Sequence, residues 1–112
     1  MSGLGRFDEA ETELRAVVEA RRRVLGDDDP DTIDSQLDLA RILSRDKRPD
    51  EALAAVEEAA GIYRTLAEAN PDAFRDDLAR SLDALGNALS AVGRDVHARV
   101  AHAEADDLRR KS

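Results

Sequence analysis

The run Asp27-Asp28-Asp29-Pro30-Asp31 sets carboxylates at alternating positions, the arrangement with which a loop wraps a calcium ion. The rest of such a loop is missing. Thr32 stands where the sharp turn needs glycine, Asp38 stands where a bidentate glutamate belongs, and Pro30 interrupts the ligand series. The same acids suit the N-terminus of a helix, whose free N–H groups and dipole attract negative charge. His97 and His102 are five residues apart, so on a helix they diverge by more than a right angle. They cannot share a metal without a further ligand set. Tyr63 lies on an apolar stripe and reads as core, and Arg21-Arg22-Arg23 spreads around a helix toward solvent partners such as Glu19. There is no cysteine, which removes disulfides, thiolate metal sites and thiol nucleophiles. With no triad and no phosphate loop either, the expectation is no catalytic residue, no cofactor and no metal.

The elements that would position any site are helices. Charged residues make up 38% of the 112 residues and aromatics 3%, so a core must be built from Leu, Val, Ile and Ala. The length allows one modest domain, spanning residues 1–112. Steps of three and four predict five helices, at about 5–25, 30–45, 49–69, 72–92 and 95–110. Phe7, Ala10, Leu14, Val17, Val18 and Leu25 carry the first, and Ile33, Leu37, Ala40 and Leu43 the second. Ala52, Val56, Ala59, Tyr63 and Leu66 carry the third, and Phe74, Leu78, Leu82, Leu85, Leu89 and Val92 the fourth. The fifth, with Ala98, Ala101, Ala105 and Leu108, is weaker. Asp29-Pro30 and Asn70-Pro71 pair a capping side chain with a proline suited to the first helical turn, and Pro49 is expected to act similarly. No strand alternation appears, so the fold class is all-α.

The chain repeats itself. G-R-F-D-E-A at Gly5 to Ala10 returns as K-R-P-D-E-A at Lys47 to Ala52, and again as G-R-D-V-H-A at Gly93 to Ala98. Ala40 precedes Ala52, and Gly86 precedes Ala98, by the same twelve residues, small residues that let paired helices approach closely. The unit is helix, tight turn, helix, at a period a little above forty, the signature of a helix-turn-helix solenoid in antiparallel pairs.

These residues resemble tetratricopeptide-repeat proteins of the long-repeat kind, as in kinesin light chains and many actinobacterial regulators. L-G-D-D-D-P-D-T at Leu25 to Thr32 is similar to the linker between repeats in that group, and Glu51 to Phe74 resembles its actinobacterial version. The likeness covers roughly Gly5 to Arg94 well and the remainder faintly. Basic residues are almost all Arg, with Lys at Lys47 and Lys111, the bias of a GC-rich bacterial genome. Three departures stand out. The chain opens at the turn inside a repeat, Gln36 replaces a large apolar residue, and His102 replaces the apolar residue of earlier units. The last predicts that the fifth helix is a solvent-facing cap.

The resemblance implies a concave groove lined by the first helices of successive pairs and holding a partner segment. Carried over by register, its residues are Asp34, Leu37, Asp38, Arg41 and Ser44, then Arg80, Asp83, Asn87 and Ser90. Arg41 and Asn87 fall at equivalent places, suited to a peptide backbone or carboxylate. The carboxylate clamp of chaperone adaptors is incomplete, because Asp34 and Leu37 replace basic positions. The expected function is a non-catalytic scaffold for a protein or peptide partner. A net charge of −8 disfavours nucleic acid. The absence of a signal-peptide core or membrane-length apolar run predicts a cytoplasmic protein that uses no membrane. Two alternatives stand beside it. One is a fragment of a larger signalling regulator. The other is a self-assembling module, a homodimer in which the opening helix buries an orphan edge of Phe7, Leu14, Val17 and Val18 on a second copy.

Overall fold

The helices begin and end where local chemistry requires. The computed structural model describes residues 2–26, 29–45 and 48–111, with residues 2–8 described by backbone alone. It contains α1 (Ser2–Leu25), α2 (Pro30–Arg45), α3 (Pro49–Ala69), α4 (Pro71–Ala91) and α5 (Asp95–Arg110). Ahead of α2, the Asp29 carboxylate accepts the Asp31 N–H at 2.9 Å; Asp27 and Asp28 lie outside the described residues. Asn70 caps α4 by accepting the Ala73 N–H, with Pro71 in the first turn. Pro49 likewise opens α3, but Arg48 before it offers no side-chain cap.

The ends of α1 and α4 use glycine in the left-handed region, Gly26 at φ 97° and Gly93 at φ 83°. After α4 the Gly93 N–H reaches the Ser90 carbonyl and the Arg94 N–H reaches the Leu89 carbonyl, a Schellman closure. That closure stops α4 at Ala91 rather than Val92 and turns the chain directly into α5.

Consecutive helices pack against each other in order, and α2 also touches α4. On the opposite face side-chain ion pairs join alternate helices. Arg15–Glu51 and Arg22–Glu58 link α1 to α3, and Arg64–Glu104 links α3 to α5. The result is two rows, α2 and α4 beneath α1, α3 and α5. The slab measures 46 × 36 × 17 Å, its thin dimension close to two layers of helices about 10 Å across.

Two apolar clusters fill the space between the rows. One gathers Leu39, Leu43, Leu53, Val56 and Leu89 with the alanines of α3, α4 and α5. The other gathers Ile33, Tyr63, Leu78, Leu82 and Ala105. Leu37 and Leu85 pack against both and make the core continuous. The fifth helix docks firmly, with Ala98, Ala101 and Ala105 all buried.

Candidate partner-binding groove

The side chains of α2 and α4 that face away from the upper row define a groove of about 410 Å³. Its floor is apolar and small: Ala40, Ala84 and Ala88, with Ala52 and Val56 of α3 reached between the two helices. Alanine at these places is what opens the groove, since any longer side chain would fill the gap between α2 and α4. Leu37 forms part of the wall, and Arg41, Ser44, Arg45, Arg80, Asp83 and Asn87 form the polar remainder.

Most of the charged groups there are held in place. Arg41 pairs with Asp38 one turn away. Arg80 bridges Asp77 at 2.6 Å and Asp34 at 3.3 Å. The Asp83 carboxylate lies 3.0 Å from His102 Nδ1 and 2.5 Å from the Arg109 guanidinium. A carboxylate only accepts, so His102 carries its proton on Nδ1 in this contact. Burial by itself would raise the Asp83 pKa. Hydrogen bonds from His102 and Arg109, with the Arg109 charge, overcome that and hold it below the ordinary 3.8. Among the described residues Asn87 has no hydrogen-bond partner and Arg45 no ion-pair partner, and both side chains are exposed.

Of the residues placed by register, Leu37, Arg41, Ser44, Arg80, Asp83 and Asn87 come together around this groove. Asp34 and Asp38 stand beside it. Asp34 accepts the Tyr63 hydroxyl at 3.0 Å as well as Arg80, so it ties α2 to α3 and α4. Asp38 lines a separate shallow concavity with Leu14, Arg41, Ile42 and Arg45. Ser90 is exposed beyond the groove lining. Sequence reasoning passed over Arg45 and the α3 contribution of Ala52 and Val56. Of the repeated small residues, Ala40 belongs to the floor, whereas Gly86 lies outside it, beneath the ring of His102.

Tyr63 is fully buried against Phe74, and burial, reinforced by the neighbouring Asp34, pushes its phenol pKa up. His102 differs from the expectation of a solvent-facing cap residue. Its ring lies over Gly86, where an added Cβ would come within 2.5 Å of Nε2, so it docks α5 onto α4. Gln36, the other departure, is buried, and its Oε1 has no hydrogen-bond partner among the described residues. It lines a cleft of about 490 Å³ between α1 and α3, together with the Arg15–Glu51 and Arg22–Glu58 pairs.

The α1 residues expected at an edge do not share one direction. Val18 is buried, and Leu14 packs against the core. Val17 faces outward, as does Val24; the side chain of Phe7 lies outside the described residues. At the other end Val96 and Val100 of α5 are exposed. Among the described residues no group of three or more acidic or histidine side chains is placed to hold a metal ion, and no helix is long and apolar enough to cross a membrane.

Helix pairs stacked in two rows, with small residues at the crossings, define a helical-repeat protein. The family model described as tetratricopeptide repeat matches residues 2–65, more than half of the chain, and the chain belongs to that family. No curated protein matches it. Repeats of this family generally mediate contacts between proteins.

Proposed function

We propose that the chain is a non-catalytic scaffold that holds a segment of a protein partner along the α2–α4 groove. The observation that carries this reading is the pairing of a small-residue floor with fixed polar groups on both walls. Ala40, Ala84 and Ala88 leave room for side chains of a partner, and Leu37 supplies an apolar contact. Arg80, braced by Asp34 and Asp77, and Asn87, two turns further along the same face of α4, supply direction. Donors already fixed in place lose little freedom when a ligand arrives, so binding energy is not consumed in ordering them. A protein partner suits the site better than nucleic acid, because the chain carries a net charge of −8. The period and the linker phrase at Leu25 to Thr32 favour the long-repeat type of the family, and the preference for Arg over Lys favours a bacterial setting.

Selection from a random peptide display library against the 112-residue chain tests the reading. Enriched peptides are expected to lose at least tenfold in affinity toward an Arg41→Glu/Asn87→Ala variant, both positions being exposed and remote from the core. Peptides that bind the variant as well as the parent, or a selection that enriches nothing, would remove the groove as the binding surface.

A further inference from the structure

We infer that the outer flank of α1 pairs two copies of this chain, antiparallel and about a two-fold axis. The inference is independent of the groove, which lies on the opposite row of helices.

The flank is apolar along its middle. Ala10, Val17 and Val24 recur every seven residues and therefore share one face of the helix. Val17 is 37% exposed and Val24 81% exposed, the latter the most exposed large apolar side chain described. Ala20 adds a small exposed position between them.

The spacing is symmetric about Val17. When two such helices run antiparallel through a two-fold axis there, Val17 meets its own counterpart and each Ala10 meets Val24 of the second copy. A valine against an alanine at both ends matches the two ends of the contact around the central pair of valines.

The charges beside the stripe select the same arrangement. Glu9 and Glu13 lie along one border near the start of α1, and Arg23 lies along that same border near its end. All three are exposed, and none pairs with another described residue. The two-fold keeps like borders together and reverses the helix direction. Each Arg23 is therefore carried to the height between Glu9 and Glu13 of the second copy. A parallel two-fold would instead turn this border toward the opposite one, where Arg21 and not an acid stands near the height of Arg23.

The other exposed stripe has no such complement. Val96 and Val100 of α5 run into Asp107, which is engaged within its own helix by Arg110 and Lys111.

Sedimentation of the full chain across a hundredfold dilution, with charge-swapped variants, tests the pairing. The parent is expected to associate reversibly into a dimer. Arg23→Glu alone and Glu9→Arg/Glu13→Arg alone are each expected to weaken association at least tenfold. An equimolar mixture of the two variants is expected to recover it, since each copy then supplies the charge the other lacks. Because the chain has no cysteine, Val17→Cys supplies a second readout under mild oxidation. Antiparallel pairing predicts a disulfide-linked dimer for Val17→Cys and none for Val24→Cys, whose counterparts would be roughly 21 Å apart along the axis. A monomer at every concentration, a mixture that stays dissociated, or equal cross-linking at both positions would overturn the inference. The first of these would leave the flank to a different helix or protein.

Discussion

Gly86 has no side chain because the imidazole of His102 occupies that space, with an added Cβ falling 2.5 to 2.7 Å from three of its ring atoms. The pair is a single packing unit, and its two members are predictable only together. Gly86→Ala in the parent is expected to lower the melting temperature, because the ring must leave both its seat and the Asp83 carboxylate. In a His102→Ala background the same substitution is expected to stabilise the chain by about 1 kcal/mol, the helix propensity gained when glycine is replaced in a helix interior. A double-mutant cycle by thermal melting measures the coupling. If Gly86→Ala has the same effect in both backgrounds, the close contact carries no energy. The sequence displayed His102 as an odd residue at an apolar register position. That it answered a missing side chain on another helix was not legible, because the match is between residues sixteen apart on different helices.

At the scale of the element, α5 shows how a highly charged helix can still dock. It buries three alanines, seats the His102 ring on Gly86 and packs Leu108 against the core, and it is tied further by charge, through Asp83 to His102 and Arg109 and through Arg64 to Glu104. The Asp83 carboxyl has a folded pKa below its ordinary 3.8, so its ionised form stabilises the folded state. That contribution is fully present above the unfolded value and is lost as pH falls through the lower folded value. Acid below about pH 4 is therefore expected to loosen α5, along with α1, whose Glu11 is likewise held below its ordinary 4.5 by Arg15 and Arg48, before α3 and α4. Hydrogen exchange on residues 95–110 should rise before that of α3 in an acid titration of the parent. The Asp83→Asn variant, which has no carboxylate to protonate, should show α5 exchange that is faster at neutral pH and less dependent on acid. An α5 that stays as protected as α3 through this range would assign its docking to packing rather than charge. The alanine spacing of this helix was readable in the sequence, but its firmness was not, since ion pairs between helices leave no periodic trace.

At the scale of the whole molecule, contact is mostly between neighbours in sequence, the pattern of a slab with separable halves. The two core clusters argue otherwise, because Leu37 and Leu85 pack against both. Unfolding in urea is accordingly expected to be a single transition. Tyr63 fluorescence reports the cluster that contains it, while far-ultraviolet dichroism reports all helices. Coincident midpoints are the expected result, and separated midpoints would mean that each cluster melts alone. Leu85→Ala removes a shared contact and is expected to cost about 2–3 kcal/mol while shifting both signals together. The same layered shape separates the two proposed contact surfaces. The groove belongs to the α2–α4 row and the pairing flank to α1, so Arg41→Glu should leave the dimer intact and Arg23→Glu should leave peptide binding intact.

The sequence by itself determined the helices, their order and the family, because those depend on local signals. Apolar steps of three and four set the buried faces, and proline after Asp29 and Asn70 and glycine at Gly26 and Gly93 set the ends. It also indicated the groove wall, since the repeat returns Arg41 and Asn87 to equivalent places on parallel helices. Tertiary structure alone decided which of those polar groups are already engaged. Asp34 is held by Tyr63 and Arg80, Asp83 by His102 and Arg109, and Asn87 is left free. It also decided that Val17 and Val24 face outward while Val18 faces in. The physical reason is that periodicity fixes a side chain's direction around its own helix, while its neighbours depend on how close and at what angle the next helix lies. That distance is set by small residues such as Ala40 and Gly86, whose effect is felt only once the helices meet.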